Sequence, residues 1–394
     1  MTARSELAYL DLAAPGFSTR GPEVMAARSA HWCAQTPWGL AVLRHAETGR
    51  LLRDRRLRQG SRIWPSMQGL SGPFVAFWER SVIGQEGEHH KRLRHLAVPA
   101  LAPEHIMALE PVFDAIASEL ADELADEADF MEAFALPFAG RAIAALLGLE
   151  PGAWPMIARN AVSLGLAMGI GAAAHEAEIN AAYEALDGLA KELVAKAERG
   201  EDPGGYAARL LAGATGPGLD TAAIHDLIVI TVFGGVDTTR AQLGLAMALF
   251  AEHPGQWQRL RADPSLVPAA VDETIRERPT TTWVTREALE SFQFEGVEIQ
   301  AGDILHMLVH ASARDPALSA ETGFDISAQR RGHFGFGGGA HHCLGHRVAR
   351  ADISAALRAL VARFTAILPA GDPTWLPESG NTAPLHLPLR CARA

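Results

Sequence analysis

The sequence has little cysteine, little lysine, no surplus of positive charge and no long unbroken apolar run. Each absence removes a class of protein. Three cysteines, Cys33, Cys343 and Cys391, are spread over 394 residues. An odd and sparse set gives no disulfide framework and points to a reducing cytoplasm. Lysine occurs only at Lys91, Lys191 and Lys196, and the formal net charge is −11. That balance argues against a nucleic-acid-binding face. The N-terminal stretch MTARSELAYLDLAAPG has no apolar run of signal-peptide or transmembrane length, and the most apolar run, 227–233, is ended by Gly234, Gly235 and Asp237. No membrane anchor is therefore expected.

Hydrophobic residues make up 48% of the chain, enough for a globular core and a buried cofactor. Without an internal repeat or a Pro/Gly-rich linker, residues 1–394 read as a single domain. Helix dominates the pattern, with a small β-rich portion. A strand is expected over 38–43, with a helix following to Arg53. The stretch 60–84 reads as an irregular, aromatic-rich loop. Helices then run from His89 to about Arg199, broken at Pro103, Pro137, Pro151 and Pro155. The segment 221–252 lies between the start signal Gly218-Leu219-Asp220 and the stop signal His253-Pro254. Being apolar nearly all round, it predicts a helix of roughly 48 Å through the core. Further helices are expected over 267–278 and from Cys343 to Phe364, with strands over 281–286, 292–299, 304–309 and near the C-terminus.

The chemistry gathers in FGFGGGAHHCLGH, residues 334–346. Four possible metal ligands, His341, His342, Cys343 and His346, fall within six positions. A structural zinc site needs two spaced ligand pairs, and no second pair exists. Three glycines, Gly337 to Gly339, allow a tight turn and close approach. The cysteine then meets the start of a helix, where free N–H groups and the helix dipole favour a thiolate. An inert buried cysteine is the plain alternative; a thiolate bound axially to haem iron is the chemically richer one.

The run from Phe336 to Gly345 resembles the haem-ligand signature of the cytochrome P450 family, F-G-x-G-x-H-x-C-x-G, at every fixed position. The resemblance implies the fold of that family, mainly α with a long central helix over the haem. It implies heme b (iron protoporphyrin IX), with Cys343 as metal ligand and Phe336, Gly337 and Gly345 shaping its loop. It implies that His341 bonds a haem propionate and leaves His342 without a role.

Other segments agree. Gly234-Gly235-Val-Asp237-Thr238-Thr239 is similar to the family's oxygen-activation motif. The glycines would open space for the haem, and Asp237 and Thr238 would relay protons. A kinked core helix with a polar patch is the alternative reading. His90 and Arg94, one helical turn apart, resemble the family's propionate-gripping pair, and Arg286 suits a further propionate contact. Glu273 and Arg276, 70 positions before Cys343, resemble the structural Glu-x-x-Arg. The arginine usual after the loop's Phe-Asp is missing at Phe324-Asp325; the next arginines are Arg330 and Arg331. Family analogy places the substrate pocket at Trp78, Leu166, Met168, Ile230, Phe233, Thr282, Trp283, Val284 and the segment 382–385.

The resemblance thus implies a soluble bacterial monooxygenase that inserts one oxygen atom from O2 into a hydrophobic small molecule. No flavin or iron–sulfur module is legible, so electrons are expected from a separate ferredoxin or flavodoxin with its reductase. Arg92, Arg347 and Arg350 are candidates for docking it. Peroxide-driven or non-oxygenating haem chemistry and a non-catalytic haem sensor are the alternatives. The intact Asp237-Thr238 pair favours use of O2.

Overall fold

A computed structural model describes residues 2–214, 220–319, 323–330 and 332–393. Five helices and one sheet position the site. The helices are α1 (Gly87–Ala100), α2 (Pro103–Glu123), α3 (Thr221–Glu252), α4 (Val267–Glu277) and α5 (His346–Arg363). The sheet contains β1 (Cys33–Thr36), β2 (Gly39–Val42), β3 (Leu57–Gln59), β4 (Trp283–Ala288) and β5 (Ile304–Leu308), in the order β1-β2-β5-β4-β3. β2 and β5 run parallel, pairing Gly39 with Ile304; the other neighbours are antiparallel. The β3–β4 register sets Gln59 beside Arg286.

The bounds of α3 follow from local chemistry. Asp220 caps it, its carboxylate accepting from Ala223 N at 3.0 Å; Gly218 and Leu219 lie outside the described residues. His253 ends the helix, and Pro254 opens the next one, where its missing N–H costs nothing. By length and composition alone α3 could cross a membrane, contrary to the expectation that no segment would qualify. Its packing explains the composition. α3 is wrapped by Leu136–Leu147, Trp154–Gly165 and Glu176–Glu198, and Asp226, Asp237, Arg240 and Gln242 are buried along it.

Several boundaries depart from the sequence pattern. The stretch 60–84 is not irregular throughout. It holds the helix Pro73–Arg80, whose Phe74, Phe77 and Trp78 are buried against the core. The segment 292–299 is a hairpin, Phe292–Phe294 with Val297–Ile299, turned at Glu295-Gly296 with positive φ at both. Prolines 103, 137 and 155 do mark helix starts, yet Pro99 and Pro111 sit inside α1 and α2. A short strand, Glu127–Asp129, interrupts the helical region because Pro388–Arg393 returns to pair with it. α5 begins at His346, not at Cys343.

α4 locks the chain that leads to the cysteine loop. Arg276 makes a two-pronged contact with Glu273, Nε to Oε2 at 2.6 Å and Nη2 to Oε1 at 2.8 Å. Both side chains are almost wholly buried. Glu273 Oε1 also accepts from Asp325 N at 3.0 Å, and Arg276 donates to Gly323 O at 3.2 Å. Arg330 stands where the expected third arginine was missing. Its Nη2 lies 3.7 Å from Glu273 Oε1 and donates to Gly323 O at 2.6 Å. Arg331 lies outside the described residues. Removing one partner strands a buried charge, so Arg276→Ala should cost about 3–5 kcal/mol. The check is urea unfolding, alongside the double variant Glu273→Met/Arg276→Met, which should recover part of the loss.

Candidate active site

A cavity of about 390 Å³ opens between α3, β4 and the loop 335–345. Its floor and roof come from positions that the sequence singled out. Gly234 is exposed in mid-helix, and a Cβ there would meet nothing within 4 Å. The helix thus presents bare backbone to the cavity. Gly235 is needed for another reason, since its Cβ would lie 2.3 Å from Ile143 Cδ1. Thr238 lines the cavity and donates its hydroxyl proton to Gly234 O at 2.5 Å, the expected bond one turn back. Asp237, one residue earlier and so about 100° round the helix, is turned away. It is buried against Arg240 at 3.0 Å and packs toward Gly165. Acid and alcohol are neighbours in sequence but do not share the cavity wall.

On the facing side the cysteine loop is folded by two glycines in the left-handed region, Gly337 (φ 67°) and Gly339 (φ 69°). A Cβ on Gly339 would lie 2.2 Å from Leu52 O, so the loop sits directly on that backbone. Cys343 N donates to Phe336 O at 2.9 Å and closes the turn. Burial pushes the Cys343 thiol up; the N–H groups of Gly345 and His346 and the charges of Arg94 and Arg350 oppose this only in part. The expectation that a helix start would favour the thiolate holds for the Gly345 and His346 N–H groups at the head of α5, but desolvation outweighs them. A bound metal cation would reverse that outcome. Cys33 and Cys391 are buried elsewhere, their thiols raised to about 12 and about 11. Arg350 stacks over Phe336, 4.5 Å to the ring centre, and pairs with Asp272 at 2.8 Å. It braces the loop; Arg347 is exposed.

A set of donors surrounds this cavity with little acid to balance them. Arg94 makes no ion pair among the described residues and lines the cavity. Arg286 is buried and donates only to neutral oxygens, Gln59 Oε1, Thr285 O and Gly338 O, within 3.0 Å. Burial pushes its pKa down to about 10, against the pull of Glu86. His90 is buried, stacks on His341 at 4.0 Å, and leaves Nε2 without a partner. Burial, followed by His341 and Arg94, takes His90 down to about 4. One acid enters the group. Glu86 Oε1 accepts from His341 Nε2 at 2.9 Å and from Gln59 N. Burial opposes its ionisation, but those two bonds outweigh it and hold the carboxyl below its ordinary value. Unpaired Arg94, neutral-bonded Arg286 and an orphaned His90 nitrogen suit an anionic ligand with two carboxylates. With a sulfur on the floor and bare helix above, the residues present fit haem.

Of the expected pocket residues, Trp78, Met168, Ile230, Phe233, Trp283 and Val284 line the cavity. Thr282 does not; it is buried and its hydroxyl donates to Ser379 O. Leu166 and 382–385 are also absent from the lining, whereas Gly380 and Asn381 belong to it. His342 lines the wall beside His346, ring centres 4.8 Å apart. Asp352 escaped sequence reasoning. It lies on α5, fully buried at the cavity edge, and accepts from Thr239 Oγ1 at 3.2 Å, while Oδ1 has no partner. The signal was an acid one turn after Val348, on the apolar face of that helix.

Burial holds the Asp352 carboxyl well above its ordinary value; the Ile353 N–H and the Thr239 hydroxyl oppose it. Its folded-state pKa exceeds the unfolded one, so its contribution to stability is complete below about pH 4 and is lost as pH rises. Asp352→Asn should therefore raise the thermal midpoint at pH 8, by the equivalent of roughly 1–3 kcal/mol. The gain should shrink toward pH 4 in thermal melts taken across that range.

The sequence profile described as Cytochrome P450 matches residues 172–388. The chain is 35% identical over 398 residues to luteothin monooxygenase of Streptomyces thioluteus, covering 99% of this chain and 97% of that one. It is 30% identical to 20-oxo-5-O-mycaminosyltylactone 23-monooxygenase of Streptomyces fradiae, over 91% of this chain and 84% of that one. The solved structure of CalO2 superposes with a TM-score of 0.85 at 25% identity, over 96% of this chain and 99% of that chain. Bare glycine on the central helix, a thiol in a glycine-shaped loop and unbalanced donors between them agree with these likenesses: the chain belongs to the cytochrome P450 family and is a haem b-binding monooxygenase.

Proposed function

We propose that the Cys343 sulfur would hold the haem iron and that Arg94, Arg286 and His90, with His341 once it gives up Glu86, would hold the haem carboxylates. The observation that carries this reading is one cavity lined by Cys343, Thr238, Gly234, Arg94 and His341 together. When bound, the haem supplies the iron at which O2 is reduced and one oxygen atom is made available to a substrate bond. The chain's own residues do the rest. Phe336, Gly337 and Gly345 shape the thiolate loop, Gly234 leaves bare backbone above it, and Gly235 lets the helix pack against Ile143. Glu273 and Arg276 keep the loop in register.

Thr238 holds a hydroxyl proton inside the cavity, and Asp237 stands behind it as a proton carrier. Its carboxylate must release Arg240 and take up a proton from solvent before it can pass one on, which separates proton supply from the resting site. The indoles of Trp64 and Trp78 are tied to Met168 O and Ser61 O at 3.1 and 2.8 Å, which keeps the apolar wall shaped and excludes water. That wall supports a hydrophobic small molecule as substrate. The 35% identity to luteothin monooxygenase, spread over 99% of the chain, makes a luteothin-like molecule the first to test.

The reading includes a separate ferredoxin or flavodoxin with its reductase, a cytoplasmic location and one domain over 1–394. A groove behind the cysteine loop, where Arg50 and Arg56 are paired with Glu295 and Asp54 and Arg53 makes no ion pair among the described residues, supports an acidic partner through Arg53. A sheet that draws strands from residues 33 to 308 supports one domain.

The reduced carbon monoxide difference spectrum tests the ligand. Wild type should give the thiolate-type band, and Cys343→Ala should lose it; a variant that keeps the band rules out Cys343. Thr238→Ala should keep the band yet lower product per electron pair by about tenfold or more. Product yield against reductant consumed measures this.

A further inference from the structure

Hydrogen-bond accounting separates the walls of the cavity. Along α3 every polar side chain of the lining is already engaged. Thr231 is bonded to Leu227 O at 2.7 Å and to Tyr206 Oη at 2.8 Å. Thr238 is bonded to Gly234 O and Thr239 to Asp352. Gln242 donates to Arg278 O at 3.0 Å and accepts from Thr280 N at 3.1 Å. The Thr231, Thr238 and Thr239 hydroxyl protons are spent on these bonds, and both ends of the Gln242 amide already hold a partner.

The wall made by the approach to β4 and by the C-terminal loop is different. Thr281 and Asn381 face each other across an isolated antiparallel bridge. The bridge is closed by Thr282 N to Gly380 O at 3.1 Å and Thr382 N to Thr280 O at 2.8 Å. Those bonds make 281 and 381 a non-hydrogen-bonded pair, the arrangement in which facing side chains come closest and share one face of the strands. The neighbouring hydroxyls are spent within the protein, Thr280 on Thr382 O at 3.0 Å and Thr282 on Ser379 O. Thr281 and Asn381 both line the cavity, half-buried, and neither side chain has a hydrogen-bond partner among the described residues. Trp283 Nε1, which can only donate, lies 3.8 Å from where a Cβ on Gly380 would stand, likewise without a partner.

Three side chains without partners, the Trp283 indole that can only donate and the Thr281 hydroxyl and Asn381 amide that can donate as well as accept, stand on one wall of an otherwise apolar cavity and can converge on one acceptor. We propose that Thr281 and Asn381, flanked by the Trp283 indole, anchor a carbonyl oxygen of the substrate. The substrate class is then a hydrophobic molecule that carries a carbonyl group away from the bond to be oxidised. The anchor orients the molecule and leaves its apolar part facing Gly234 and Thr238. This inference rests on the reading that the cavity holds haem and substrate together. It does not depend on which redox partner serves the site.

The test is a spin-state titration of the haem-loaded protein with a matched pair of probes, 4-phenylcyclohexanone and phenylcyclohexane. Wild type should bind the ketone at least about threefold more tightly than the hydrocarbon. Thr281→Val and Asn381→Leu keep the side-chain size. Each should weaken ketone binding by about three- to tenfold and leave the hydrocarbon within about twofold. Equal affinity of wild type for both probes overturns the anchor. So does a parallel loss for both probes in the variants, which would mark a packing role. The carbon monoxide band is recorded on the same samples. Its absence from wild type would fail the haem reading itself, whereas an intact band without ketone preference fails the anchor alone.

Discussion

The buried pair between Glu273 and Arg276 is the constraint on which the site depends. Neither charge can be left alone in the core, so each must keep its partner and its further bonds to 323 and 325. Those bonds fix the chain that runs into the cysteine loop. Arg350 then ties the loop back to α4 through Asp272 and holds the Phe336 ring beneath its guanidinium. The loop can carry three glycines in a row and still have one conformation, because its two flanks are pinned by ion pairs and Gly339 rests on the backbone of Leu52.

The cavity above that loop is defined as much by missing atoms as by present ones. A helix buried on nearly all sides exposes bare backbone at Gly234, and the side chains around it are apolar or already bonded. Charge is arranged with the same economy. Arg94 lines the cavity and Arg286 is buried outside its lining, neither with a carboxylate of its own among the described residues, while Asp237 is withdrawn onto Arg240. Positive charge is left open to a ligand, and the acid is kept out of the oxidising space. Asp352 is the exception, an acid kept at the cavity edge, its carboxyl raised by burial.

Much of this was legible before any coordinates. The limits of α3 follow from Asp220, His253 and Pro254, and the helix starts follow from Pro103, Pro137 and Pro155. The cysteine loop was legible because glycine spacing and a single thiol are chemical statements in themselves. Less was legible where pairing across the chain decides the outcome. The helix Pro73–Arg80 was hidden among turn-forming neighbours and exists because its aromatic face has a core to enter. The strand Glu127–Asp129 exists only because the C-terminal strand returns to it.

What the sequence by itself determined is local: which segments are helical, where they are capped, and that one thiol sits in a turn only glycine can make. Those properties depend on neighbours a few residues away. What only the tertiary structure decided is direction and company. Asp237 and Thr238 are adjacent in sequence yet point to different sides, because successive residues on a helix are rotated by about 100°. Thr281 faces the cavity while Thr282 spends its hydroxyl on Ser379 O. Gly234 opens space whereas Gly235 accommodates Ile143. Arg330 joins Glu273 across 57 positions of sequence. Each of these depends on what packs against the residue, and packing is fixed only when distant parts of the chain meet.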